Sequence, residues 1–175
     1  YVYTGQRGLD MHAWWDGMRD GHVFVTNGPL VELSVNGMIP GESVTLPAGG
    51  GQVQIQGRVR SIVPLDKVTL YFNGKPVEEI PLAADRQGAD FQKSLAVTKS
   101  GWYHLRAEGT PASRFPLDTG YPQGFTNPVW VTIGDQPVRD RASAEYSLKW
   151  IDKLQQLATA WPGWRSQKEK DHVFA

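Results

Sequence analysis

Four histidines, His12, His22, His104 and His172, are the residues of this chain best suited to metal or acid–base chemistry. A zinc site needs three or four ligands converging within about 2.0–2.3 Å of the ion. No pair here has the spacing of HxH, HxxxH or HExxH. A lead helix and the first strand can bring His12 and His22 together, but a third ligand must then come from elsewhere. The spacing therefore predicts four separate surface or interface histidines. Two carboxylate pairs offer general acid–base work, Asp85 with Asp90 and Glu78 with Glu79. Neighbours on a strand point to opposite faces, so Glu78 and Glu79 cannot share a substrate. A solvated edge is the expected role of both pairs. No G-x-S-x-G nucleophile motif is present. With no cysteine, thiolate ligands, disulfides and cysteine nucleophiles are excluded. Seven tryptophans remain, Trp14, Trp15, Trp102, Trp130, Trp150, Trp161 and Trp164. Exposed indoles stack on sugar rings, but packing of helix against sheet and of sheet against a partner is the expected use.

The elements that must position these residues are mostly strands. Asp10 caps a short helix from Met11, with Trp14, Trp15 and Met18 on its apolar side, and Gly21 stops it. His22 to Thr26 reads as a strand, and Thr26-Asn27-Gly28-Pro29 turns it into the next. Leu30 to Val35 alternates, with Val31, Leu33 and Val35 inward. Asn36-Gly37 and Asn73-Gly74 are tight hairpin turns. Further strands are predicted over 42–46, 52–63, 67–72, 76–82, 91–97, 102–108 and 126–133. On the eighth of these nine, Trp102 and its neighbours His104 and Arg106 share one face. Residues 109 to 124 read as one long Pro- and Gly-rich surface loop carrying Arg114, a loop length that is usually functional or mobile. Helical spacing takes over at Ser147, Ile151, Leu154, Leu157, Ala158 and Trp161. Pro162-Gly163 breaks that helix, and a charged one begins near Arg165.

Strands at roughly 8–12-residue intervals favour an immunoglobulin-like sandwich over a parallel α/β sheet. The predicted fold is mainly β: an antiparallel immunoglobulin-like β sandwich of eight or nine strands, with a short N-terminal helix and a C-terminal helical segment. The predicted organisation is a lead-in over 1–21, a sandwich over 22–135 and helices over 142–175. With 175 residues the chain can bury a real core. Eighteen basic and eighteen acidic residues balance, which argues against a nucleic-acid footprint and against strong steering of charged partners. No apolar run approaches the roughly 20 residues that span a bilayer. A start at Tyr1 and a helical pattern running to Ala175 predict a piece of a longer protein.

Several short segments, in order, resemble one family. They are Ala13-Trp14, Gly21 to Pro29, Val35-Asn36-Gly37, Pro40-Gly41, Ser61 to Pro64, Phe72-Asn73-Gly74, Ser100-Gly101-Trp102, Arg106-Ala107, Thr126-Asn127-Pro128-Val129 and Ile151-Asp152. Together they resemble the accessory β domain that follows the catalytic barrel of PHP-type metal-dependent hydrolases of the CehA/McbA family, over nearly the whole chain. In that family the barrel binds metal ions with His, Asp and Glu, the last of them in a segment just before the position matching Tyr1. The resemblance therefore implies no catalytic and no metal-ligating residue here, and no cofactor in this chain. Divalent metal ions would belong to the catalytic domain, the N-terminal barrel of the same polypeptide, which is the implied partner.

The implied parent hydrolyses a phosphoester, ester or carbamate, and export of that parent is compatible with the resemblance. Thr26, Asn27, Gly28, His104 and Arg106 become candidates for the rim of its cleft. Trp14, Trp15 and Trp102 become candidates for the interface with the barrel. The chain departs from the family pattern at His22-Val23, where a basic residue and Ser or Thr are common, and near Phe125. The other reading of the same residues is a stand-alone carbohydrate- or protein-binding module. A bracing domain should carry a contiguous apolar face, whereas a sugar binder should carry parallel indoles in a shallow groove.

Overall fold

Alternation of apolar and polar residues builds two packed layers. The computed structural model describes residues 1–110 and 121–174; the predicted loop residue Arg114 lies outside them. These residues form two compact units, Tyr1–Val138 and Arg139–Ala175. The first begins with a short 3₁₀ turn and helix α1 (Met11–Asp20). Ten strands follow: β1 (Phe24–Thr26), β2 (Leu30–Val35), β3 (Ser43–Leu46), β4 (Gly51–Arg60), β5 (Lys67–Phe72), β6 (Lys75–Ile80), β7 (Gly88–Val97), β8 (Gly101–Glu108), β9 (Gln123–Thr126) and β10 (Val129–Ile133).

The fold is a β sandwich of two sheets. One layer is the three-stranded sheet β2-β4-β7. The other has seven strands, in the order β1-β9-β8-β10-β3, with β5 on the other side of β8 and β6 beyond it. Every pairing is antiparallel except β3 with β10, which run parallel. Inward residues alternate along each strand, and Val31, Val35, Val53, Ile55, Val59, Val68, Leu70, Leu105, Val129 and Val131 are all sealed from solvent. Leu105 and Leu70 sit opposite each other on β8 and β5, at the centre of this core. Tyr103 is buried beside Phe72, their rings 4.7 Å apart, and burial pushes its hydroxyl up to about 12. The edges of the two layers are tied by Lys93 of β7 and Glu78 of β6, 2.9 Å apart.

Local signals account for the turns. Asn36 and Gly37 both have positive φ, as do Asn73 and Gly74, which fits the twist of a two-residue hairpin. Asp10 Oδ1 accepts from His12 N at 3.0 Å, and Gly21 ends α1 in the left-handed region. The helix packs with a different face from the one its sequence suggests. Ala13 and Gly17 are buried, while Trp14, Trp15 and Met18 are exposed. The reason is closeness: a Cβ on Gly17 would lie 2.6 Å from the Val2 side chain and 2.9 Å from the Tyr3 carbonyl. Only small residues fit there, so the indoles are turned outward.

Residues 126–133, read as one strand, hold the last residue of β9 and all of β10, while Gln123 and Gly124, read as the end of the long loop, belong to β9. Pro128 has no N–H and cannot continue a ladder in the middle of a sheet. The chain breaks at Asn127-Pro128, so β9 pairs with Arg106–Glu108 and β10 with Gly101–Tyr103. Side chains fill the gap. Thr126 Oγ1 accepts from Leu105 N at 3.1 Å. Asn127 Nδ2 donates to Gly21 O at 3.0 Å, and Gly41 N donates to Pro128 O at 2.8 Å.

The second unit is a helical hairpin, α2 (Arg141–Ala160) and α3 (Gln167–Phe174). Asp140 caps α2 by accepting from Ser143 N at 2.7 Å. Trp164 Nε1 donates to Ala158 O at 3.0 Å, and the Trp164 ring meets Phe174 edge-on. No residue of α2 is buried; Trp150, Ile151, Leu154, Leu157 and Trp161 are all exposed.

Gly41 has φ +96°, and a Cβ there would sit 2.2 Å from the Asp20 carbonyl oxygen. Gly41→Ala is expected to lower unfolding stability by about 2–4 kcal/mol in urea melts, combining strain with overpacking. Gly37→Ala meets open space at φ +82°. It should cost only about 1–2 kcal/mol. Equal losses would show that the tight contact at Gly41 is not a constraint.

Candidate functional site

The outer face of the seven-stranded sheet gathers side chains that the core does not need. On β8 the inward residues are Tyr103, Leu105 and Ala107, so Trp102, His104, Arg106 and Glu108 point out. Strand pairing sets Tyr71 beside His104, Trp130 beside Trp102, and Phe125 beside Arg106. Val25 of β1 continues the row beyond Phe125. The rings touch in a chain: Tyr71 to His104 at 4.7 Å, His104 to Trp102 at 5.4 Å, Trp102 to Trp130 at 6.5 Å. Val25, Phe125 and Trp130 are 56%, 38% and 37% exposed, so the face is apolar and open to solvent.

Polar groups punctuate it. His104 lies opposite the gap between β9 and β10. Burial by its aromatic neighbours pushes its imidazole below the usual 6.5, and the Arg106 charge adds to the effect. Arg106 Nε is 3.2 Å from Glu108 Oε2, within ion-pair reach. Its N–H is out of line with that oxygen, and it is the one buried side-chain nitrogen or oxygen without a hydrogen bond among the described residues. Glu108 also faces Lys67 Nζ at 3.7 Å. Arg106 thus stands between Phe125 across the ladder and the Glu108 carboxylate, with its Nε closed to solvent.

The structure brings Trp102, His104 and Arg106 together, but puts Thr26, Asn27 and Gly28 to structural use. Thr26 Oγ1 donates to Gln123 O at 3.1 Å and accepts from Gly28 N at 2.9 Å. Asn27 Nδ2 donates to Tyr121 O at 2.8 Å, and its Oδ1 accepts from Gln123 N at 2.7 Å. The turn is therefore a clamp on the start of β9. Trp14 and Trp15 lie on α1, edge to face at 4.9 Å, and both are exposed. Tyr71, Trp130 and Phe125 are the members of the face that sequence spacing did not single out. Their signal was present as outward positions on strands filled by aromatic residues, but the pairing that aligns them is long-range.

The other candidates have ordinary roles. Asp90 binds Arg58 and Arg60, and these guanidiniums hold its carboxyl below the usual carboxylate range. Asp85 caps Gln87 N at 2.9 Å. Asp66 is likewise held low, by hydrogen bonds from Thr110 and Arg86. No three His, Asp or Glu side chains converge as metal ligands among the described residues, and no helix there is long and apolar enough to cross a membrane. Comparison with protein-family models and with curated proteins finds no match to this chain.

Two predictions arise from this geometry. Asn27→Ala leaves Gln123 N–H and Tyr121 O without their partner, and should cost about 1–3 kcal/mol in chemical denaturation. His104 is depressed in the folded state, so the unfolded chain takes up its proton first. Its contribution to stability is complete above pH 6.5 and is lost as pH falls from there through the folded value. Melting temperature should therefore drop between pH 7.5 and 5, less steeply in His104→Gln. Asp66 and Asp90 titrate below 3.8 and do not contribute in that window. Identical slopes in the two proteins would refute the assignment.

Proposed function

We propose that this chain is the C-terminal accessory domain of a PHP-like metal-dependent hydrolase, and that it braces the catalytic barrel with the outer face of its larger sheet. The observation that carries the reading is the contiguous aromatic face of Tyr71, Trp102, Trp130, Phe125 and Val25. An isolated sandwich gains nothing from placing these residues in water, and patches of this kind mark contact surfaces. The order of short motifs along the chain supports the family. On this reading the barrel supplies the metal ions that activate water and polarise a phosphoester, ester or carbamate. This chain supplies packing area, and Arg106 supplies a directed charge at its rim.

The alternative, a carbohydrate-binding module, draws less support from the same face. Trp102 and Trp130 are inclined at 60°, and Trp14 and Trp15 at 79°. Neither pair offers the parallel indoles on which a sugar ring lies flat.

The test is association in trans. A PHP-type barrel expressed from the coding sequence upstream of Tyr1 should form a one-to-one complex with this chain. Trp130→Ala, at an aromatic anchor, should weaken that complex by about tenfold or more. This chain alone, incubated with zinc, manganese or iron, should show no stoichiometric metal and no phosphodiesterase or esterase turnover. Metal binding with turnover, or an upstream sequence without a barrel, would overturn the proposal.

A further inference from the structure

We infer that α2 pairs antiparallel with α2 of a second copy of this chain, across a seam of Trp150, Leu154, Leu157 and Trp161. The spacing of these residues carries the inference. Steps of four, three and four along a helix make a stripe of 3.5-residue period, which runs straight along the axis and fits a second helix. Ile151 and Ala158 widen the stripe on one side. The order is also palindromic: Trp, Leu, Leu, Trp, at the same intervals from either end. Turned end for end, the stripe meets itself. Trp150 then lies against the partner's Trp161 and Leu154 against the partner's Leu157, and a two-fold axis repeats both layers.

The hairpin leaves that stripe uncovered. No residue of α2 is buried, and the four seam residues are between 50% and 61% exposed. The return segment serves Trp164 instead, whose ring meets Phe174 and whose Nε1 donates to Ala158 O. An amphipathic helix draws most of its stability from packing its apolar side, which α2 by itself does not do. With about 150–250 Å² of surface to each indole, the seam residues and Ile151 offer roughly 500 Å² on each copy, or about 1,000 Å² in the pair. That reaches the lower limit of a specific interface, the size at which weak, reversible association is found.

Pattern and charge select the second copy and its direction. Among the described helices, α1 packs through Ala13 and Gly17, and α3 is short and mostly polar. Neither repeats the seam, so α2 is matched by α2 alone. Its charged residues are Arg141, Glu145, Lys149, Asp152 and Lys153, and none follows Lys153 within the helix. An antiparallel partner sets this charged half alongside the partner's uncharged half, from Leu154 to Ala160, and opposes the two helix dipoles. A parallel partner would bring each charge level with its own copy and align the dipoles. This inference rests on α2 and is independent of what covers the aromatic face of the larger sheet.

Sedimentation velocity on the whole chain, at concentrations from about 1 to 200 µM, tests the pairing. A reversible monomer–dimer equilibrium is expected, with no larger species. Leu154→Glu, at the centre of the seam, should weaken it about tenfold or more, while the sandwich melts as in the parent. The chain has no cysteine, so introduced thiols report the register. Leu154→Cys mixed with Leu157→Cys should cross-link on mild oxidation. Ser147→Cys should not cross-link with itself, because antiparallel pairing holds the two copies of that residue about 25 Å apart. Four results would overturn the inference: a monomer at every concentration, a dimer that survives Leu154→Glu, efficient cross-linking through Ser147→Cys, or a lower sandwich melting temperature in Leu154→Glu, which would show the stripe covered within one chain.

Discussion

The break in the last strand at Asn127-Pro128 is the constraint on which the sandwich depends. A proline in a strand flanked on both sides removes a ladder hydrogen bond that no other backbone group can replace. The chain responds by leaving the ladder for two residues and using side chains instead. Thr126 Oγ1 takes the Leu105 N–H that would otherwise be stranded in the core. Asn127 N donates to Val23 O at 3.0 Å, while its side chain holds Gly21 O. Pro128 O accepts from Gly41. One irregular dipeptide thus joins the end of α1, the approach to β1, the approach to β3 and the middle of β8. The glycines at 21 and 41 are needed because these segments meet backbone to backbone.

The same break shapes the outer face. Where β9 and β10 part, β8 has no regular neighbour beside His104 and Leu105 on the side away from β5. Leu105 points inward and is sealed by the core. His104 points outward, and Tyr71 and Trp102 close around it. Its depressed basicity follows from that enclosure. The aromatic row is not a consequence of folding, since polar residues would serve as well on a solvated sheet face. Its composition is therefore the feature that most strongly points beyond the isolated chain.

The broad face of the seven-stranded sheet offers ring area and a guanidinium set beside Glu108. Area of this kind suits a stable neighbour with a matching surface. In the second unit, α2 exposes apolar residues along its whole length, which its own hairpin does not cover.

Much of this fold was legible along the chain because its signals are local. Two-residue alternation marked the two faces of β2, β4 and β8. Asn-Gly pairs marked both hairpin turns, and Asp10 and Gly21 marked the ends of α1. Pro128 was visible, yet its effect depends on a neighbour at each side of the strand, so two strands read as one. The buried face of α1 was misjudged for a similar reason: the close approach of Val2 and Tyr3 to Gly17 outranks the greater hydrophobicity of two tryptophans. His104, Arg106 and Trp102 were legible as one face of one strand. Sequence alone determined where most strands run and the two faces of each, because a strand's side chains alternate whatever it pairs with. Only the tertiary structure decided that Tyr71, Trp130 and Phe125 join that face and that Asn27 clamps β9. Those facts depend on which distant strands pair and in what register, and no local propensity encodes that.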